Sequence, residues 1–219
     1  MDRIDLVIWD WNGTLLDDTE LCWRIAEEMR ASRGMTPIGS IDGYRKLFRF
    51  PVEAYYRDMG YTFETESFQD ITDEFLSAYS ARQTGCPLME GAVETLSALG
   101  SMGISQAVLS ATGEERLLRE ISRYGVAGYF TAIAGQKDEL AVSKAARGLE
   151  LMATLGTDAA HTMFVGDTDH DLEVANAIGC RCVLIPNGCQ HPDKLGQLGC
   201  PVLNDISEVP AYVAEPKTE

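Results

Sequence analysis

Four apolar residues in succession, Leu6-Val7-Ile8-Trp9, lead directly into Asp10. A short uninterrupted run with β-branched and aromatic members predicts a central parallel strand buried on both faces, and the Asn12-Gly13 pair predicts a tight turn just after it. Beyond residue 90 the pattern alternates between helical and extended spacing. It predicts helices over 91–99, 114–123, 143–155 and 171–178, interleaved with strands over 104–109, 131–134, 161–165 and 181–185. Val202-Leu203 extends the series as a short final strand, with a helix around 206–212 and a polar tail from Ala214 to Glu219. Such alternation is the signature of an α/β fold, a Rossmann-like doubly wound parallel sheet covered by helices on both faces.

The strand at 6–9 and the strand at 104–109 are too far apart for one crossover, which needs only a dozen or so residues. The intervening chain repeats apolar positions at helical spacing: Leu21, Ile25 and Met29; Tyr44, Leu47 and Phe48; Phe68, Ile71, Phe75, Leu76 and Tyr79. Residues 17–84 are therefore expected to form an inserted all-helical cap, and residues 1–16 with 85–219 the sheet core. Leu16-Asp17-Asp18 and Gln83-Thr84-Gly85-Cys86-Pro87 are the expected hinges.

The chemistry collects at predicted strand ends, where open α/β sheets bind ligands. Asp10 closes the first strand; on its own it also reads as a turn-capping acid. Asp167 closes the strand at 161–165, and Asp171 follows four residues later, so a helix starting near Asp169 turns both acids toward one crevice. Asp169 is a good N-cap, which explains one acid of the three but not all. Clustered carboxylates repel, and a hard cation such as Mg²⁺ is the usual remedy. Ser110 ends the strand at 104–109, with Ala111 beside it; alone, Ser110 reads equally as a cap for the helix after Gly113. Two lysines compete for a basic role, Lys137 and Lys144, and Lys144 is preferred because it opens the helical pattern Ala145, Leu149, Met152, Leu155.

The order Asp10, Ser110, Lys144, Asp167, Asp171 resembles the four motifs of haloacid dehalogenase-like hydrolases over nearly the whole chain, and the cap's placement is similar to that of phosphoglycolate phosphatase-like members. The resemblance implies that Asp10 is a nucleophile forming an aspartyl-phosphate, that Ser110, Ala111 and Lys144 hold the phosphoryl group, and that Mg²⁺ sits on Asp10, Asp167, Asp171 through water, and the carbonyl of Asn12. Asn12 departs from the pattern. Phosphatases of this kind usually carry there an Asp that protonates the leaving group, and positioned acid-base catalysis is worth about 10²- to 10⁴-fold. Acyl and aryl phosphates, whose leaving groups need no proton, should suffer least, and Asn12→Asp should gain most on alkyl esters. The implied activity is a Mg²⁺-dependent phosphatase of a small phosphorylated metabolite. Two alternatives stand beside it: a catalytically weak protein binding a phosphate ligand or a partner, and a phosphonate-cleaving enzyme using Lys46, the cap's only lysine.

Composition narrows the partners. With 34 acidic against 18 basic residues the net charge is −16, which argues against nucleic acid and anionic membranes. No apolar run approaches a membrane span and Met1-Asp2-Arg3 lacks a secretory pattern, so a cytoplasmic protein with six reduced cysteines is expected. Monomer and homodimer are both compatible with the chain. In the cap, Arg24, Arg45, Lys46, Arg49 and Arg57 are candidates to meet a second anionic group or to be solvated charges. Trp9 is expected in the core, and Trp11 as a wall of the pocket.

Overall fold

Apolar periodicity translates into five strands in the computed structural model, which describes residues 3–136 and 143–215; Lys137 lies outside the described residues. The strands are β1 (Leu6–Trp9), β2 (Ser105–Gly113), β3 (Ala132–Gln136), β4 (Thr162–Gly166) and β5 (Arg181–Leu184). They form one parallel sheet in the order β3-β2-β1-β4-β5. The chain builds outward from β1 on one side, then returns to build on the other. The crevice between the carboxyl ends of β1 and β4 is therefore the switch point of the topology, the place where such sheets bind ligands.

Around the sheet lie helices that split the strand residues by parity. Val7 and Trp9 face a layer made with α5 (Ala92–Ser101) and α6 (Glu114–Arg123), through Leu96, Leu99, Leu117 and Ile121. Leu6 and Ile8 face the other layer, made with α7 (Lys144–Leu155) and α8 (Asp169–Ile178), through Leu151, Val174 and Ile178. All four β1 residues are buried, as a central strand requires.

Between β1 and α5 run four further helices, α1 (Thr19–Ser32), α2 (Ile41–Leu47), α3 (Val52–Asp58) and α4 (Phe68–Arg82). They share an apolar cluster of their own, built on Ile25, Met29, Tyr44, Tyr55, Ile71 and Tyr79. Ser67 starts α4 with a reciprocal capping box to Asp70. The α3 helix was not expected; its seven residues bury two adjacent tyrosines and are too short to show a helical period. The chain entering and the chain leaving these helices run side by side: Asp17 N donates to Pro87 O at 3.0 Å and Met89 N to Leu15 O at 2.9 Å.

Several expectations need correction. The β2 strand runs on to Gly113 rather than stopping at 109, because an irregularity between Leu109 and Gly113 shifts its register against β3 without ending the pairing. Val202 makes only an isolated bridge to Leu184, not a strand. Trp11 does not wall the pocket. The turn after β1 folds back, with Leu15 N and Leu16 N donating to Trp11 O at 3.0 and 2.8 Å, so strand alternation no longer governs the ring. It is fully buried in the core with its Nε1 donating to Glu120 Oε2 at 2.8 Å. Among the described residues no helix is long and apolar enough to cross a membrane.

Trp11→Phe replaces the buried indole by a smaller ring and removes the donor from a carboxylate that is only 3% exposed. The expected loss is about 1–3 kcal/mol in urea unfolding, with an unchanged denaturant slope.

Candidate active site

At the switch point three carboxylates meet out of solvent. Asp10, Asp167 and Asp171 are buried, and each offers an oxygen such that all lie within 4.8 Å of one another. Asp10 follows β1, its N–H donating to Val165 O of β4 at 2.9 Å. Lys144 opens α7 and reaches across the sheet end, its Nζ 2.8 Å from Asp10 Oδ1 and 2.6 Å from Asp171 Oδ1. Asp171 spends its other oxygen on Asp167 N, Thr168 N and Thr168 Oγ1, at 3.1, 3.0 and 2.8 Å. The N-cap of α8 is therefore Thr168, in a capping box with Asp171, and not Asp169. Asp167 accepts from Cys189 N at 2.6 Å and from Thr14 Oγ1 at 3.2 Å.

Glycines make this crowding feasible. Gly13 has φ +74°, and a Cβ there or at Gly188 would collide with the Asp167 carboxylate. Gly13 was visible as turn chemistry. The role of Gly188, contributed by the loop after β5, had no local signal.

Burial drives the electrostatics. It pushes the Asp10 carboxyl up to about 6, with Asp171 adding to the rise and Lys144 opposing it. Burial, then the neighbouring Asp171 and Asp10 charges, drive Asp167 well above the usual carboxylate range. For Asp171 burial is overcome by Lys144 and the Thr168 hydrogen bonds, which hold it low. The Lys144 ammonium is likewise held charged against burial by Asp10 and Asp171. One ammonium facing three carboxylates leaves negative charge uncompensated, and an all-oxygen donor set suits a hard divalent cation. The residues fit such an ion.

Above the carboxylates opens a cavity of about 320 Å³ whose walls include Asp10, Asn12, Ser110, Ala111, Lys144, Asp167 and Asp171. Every residue singled out for the site thus reaches the same space. Ser110 does not cap α6, whose N-terminal neighbour Gly113 lacks a side-chain cap. Its hydroxyl accepts from Thr112 N at 3.1 Å at the β2 irregularity, and it is buried at the cavity floor.

The Asn12 amide is fully engaged. Its Nδ2 donates to Asp18 Oδ2 at 2.7 Å and to Tyr79 Oη at 2.8 Å, and its Oδ1 accepts from Thr112 Oγ1 at 2.9 Å. Tyr79 Oη also donates to Asp18 Oδ2 at 2.5 Å, and Gly13 N to Asp18 Oδ1 at 2.9 Å. Asp18, Tyr79 and Thr112 escaped sequence reasoning. Asp18 read as a hinge acid beside Asp17, and Tyr79 as helix core. Arg116, on α6 over the Tyr79 ring at 5.6 Å, also lines the cavity and was missed. The five cap cations do not line it. Arg24, Lys46, Arg49 and Arg57 pair with Glu20, Asp42, Asp58 and Glu53 at 2.5–2.8 Å. Arg45 donates to the carbonyls of Gly188 and Asn187 at 2.8 and 2.7 Å, tying α2 to the loop that holds Asp167.

Comparison with known proteins agrees with this geometry. Residues 7–185 match the family model described as haloacid dehalogenase-like hydrolase. The chain is similar to a phosphoglycolate phosphatase of Rhodobacter capsulatus, 23% identical over 94% of this chain and 95% of the relative. It is 28% identical to phosphoglycolate phosphatase 1 of Pseudomonas aeruginosa over 85% of this chain and 71% of the relative. Among solved structures, a haloacid dehalogenase-like family hydrolase from Streptococcus pneumoniae superposes with a TM-score of 0.80 at 19% identity, covering 97% of this chain and 99% of that one.

Two outcomes follow from the buried charges. Asp10 and Asp167 bind protons more readily folded than unfolded, so the metal-free protein loses stability as pH rises through about 6. A cation competes with those protons; at about 100 times its dissociation constant Mg²⁺ should add about 2.7 kcal/mol, raising the melting temperature more at pH 8 than at pH 5. Equal shifts at both pH values would contradict this. Asn12→Asp alone sets a carboxylate against Asp18, so the activity gain expected of it carries a stability cost of about 1–3 kcal/mol at pH 8, which shrinks as pH falls because burial already raises the Asp18 carboxyl. Adding Asp18→Asn should relieve the cost in urea unfolding at pH 8.

Proposed function

The chain belongs to the haloacid dehalogenase-like hydrolase family, and from that premise we propose that it is a Mg²⁺-dependent phosphatase acting on a small phosphorylated metabolite. The observation that carries the reading is Asp10 at the switch point, 2.8 Å from the Lys144 ammonium and exposed to a cavity floored by Ser110. The phosphatase names of the relatives support the same reaction class.

In this reading Asp10 attacks phosphorus in line with the departing oxygen, forming an aspartyl-phosphate and releasing the alcohol or phenol. Water then cleaves the acyl-phosphate, returning Asp10 and inorganic phosphate. Lys144 and the hydroxyl and backbone N–H groups at Ser110 and Ala111 hold the phosphoryl oxygens as charge shifts between them. Asp10, Asp167, Asp171 through water and the backbone carbonyl of Asn12 would hold Mg²⁺, which when bound would screen the approach of two anions and polarise the phosphoryl group. The Asn12 amide cannot protonate a leaving group, and its hydrogens already serve Asp18 and Tyr79. The first step then depends on the leaving group's own stability. Phosphonate cleavage through a Schiff base finds no support, since Lys46 is paired with Asp42 and absent from the cavity walls.

Acetyl phosphate incubated with the protein and Mg²⁺ should release phosphate at a rate that falls to the buffer rate in Asp10→Asn or with chelator. Alkyl phosphates should turn over more slowly, and Asn12→Asp should raise their rate by roughly 10²- to 10⁴-fold while changing that of acetyl phosphate little. No metal-dependent release from any ester would favour a phosphate-binding protein instead.

A further inference from the structure

The cavity walls facing the carboxylates come from the helical insertion, and they are aromatic. Phe48, Phe50, Tyr55, Phe75, Leu76 and Tyr79 line the space above Asp10. Phe48, Phe50 and Tyr55 pack edge-on or tilted with centroids 5.2–5.6 Å apart, and Phe75 stacks on Tyr79 at 6.2 Å. Ring faces and edges so arranged favour another ring, by offset or edge-to-face contact. The volume, about 320 Å³, is at the small end of those that enclose a compact organic molecule.

Charge points the same way. Every cap arginine and lysine is engaged elsewhere: besides the five above, Arg33 pairs with Glu66 and Glu74, Arg82 with Glu28, and Arg30 donates to the carbonyls of Met59 and Thr36. Among the described residues, Lys144, Arg116 and His170 are the basic side chains on the cavity wall. Lys144 is committed to Asp10 and Asp171. Arg116 lies 3.4 Å from Glu120, places its face on Tyr79 and donates to Thr112 Oγ1 at 3.4 Å, which leaves it the least engaged cation on the wall. The His170 ring lies 4.6 Å from that of Phe50 and its Nδ1 lies 3.0 Å from Glu173. A substrate bearing a second anionic group would find on this wall mostly apolar rings, and cations only at Arg116 and His170, each already beside an acid.

We infer that the substrate is an aryl phosphate monoester, its ring held by the aromatic wall of the cap and its phosphoryl group by the carboxylate nest. The inference rests on the phosphatase reading and deepens it. Two independent features converge on it: an aromatic wall selects an aromatic group, and a site without an acid at Asn12 selects a leaving group that departs as a stable phenolate.

Binding and turnover are tested separately. With Mg²⁺ present, titration calorimetry should find phenylphosphonate bound at least about tenfold more tightly than methylphosphonate or phosphonoacetate. In kinetics, the kcat/KM ratio of phenyl phosphate to acetyl phosphate should fall about tenfold in Phe75→Ala, mostly through KM. Phe50→Ala, at another ring of the cavity lining, should lower the same ratio should Phe75→Ala fail to fold. Equal affinity for the phosphonates, tightest binding of phosphonoacetate, or an unchanged ratio in both variants would overturn the aryl assignment while leaving the phosphatase reading intact. Failure of every ester to turn over, with phenylphosphonate still bound most tightly, would sink the phosphatase reading and leave the aromatic cavity standing.

Discussion

Three carboxylates held out of water against a single ammonium are the constraint from which the rest of this molecule follows. Left alone, such a cluster repels itself, and burial strengthens the repulsion. The fold maintains it by over-determining each member. Asp10 is fixed by a fully buried central strand, Asp171 by the first turn of α8, Lys144 by the first turn of α7, and Asp167 by donors from two loops. The residual negative charge is what a hard divalent cation would neutralise.

A second network ties the cap to this centre. Asp18, one residue before α1, accepts from Asn12 and Gly13 in the turn after β1 and from Tyr79 near the end of α4. One buried carboxylate thereby joins both ends of the helical insertion to the residue two places after Asp10. Asn12 is thus more than a lost acid. Its amide supplies the donors to Asp18 and Tyr79 that a carboxylate could not. Arg45, reaching from α2 to Gly188 and Asn187, makes a second tie to the loop that holds Asp167. These two connections fix the cap to the segments that carry and hold the carboxylates.

Residues whose roles rest on strand ends were legible because the apolar runs at 6–9 and 163–165 are short and unbroken, with Asp10 directly after the first and Asp167 one glycine after the second. Local pattern and global position then agree. Trp11 was misread because a turn inserted after β1 breaks the alternation that had located Trp9. Helix α3 was missed because its seven residues place their two buried tyrosines side by side, which carries no helical period. Asp18, Tyr79, Thr112, Arg116 and Gly188 act through contacts between segments distant in the chain, such as the 67 positions separating Asn12 from Tyr79. No local pattern reports those. The cap arginines illustrate the converse, since their charge was visible but their pairing with nearby acids was settled only by packing.

The account stands on Asp10 as the atom that takes the phosphoryl group. Borohydride added to the protein quenched during turnover of acetyl phosphate with Mg²⁺ reduces an aspartyl-phosphate to homoserine, and peptide mass spectrometry locates it. Homoserine at position 10 and at no other carboxylate is the predicted result. Conversion at Asp18 or Asp167 instead, or none while phosphate is still released, would contradict it.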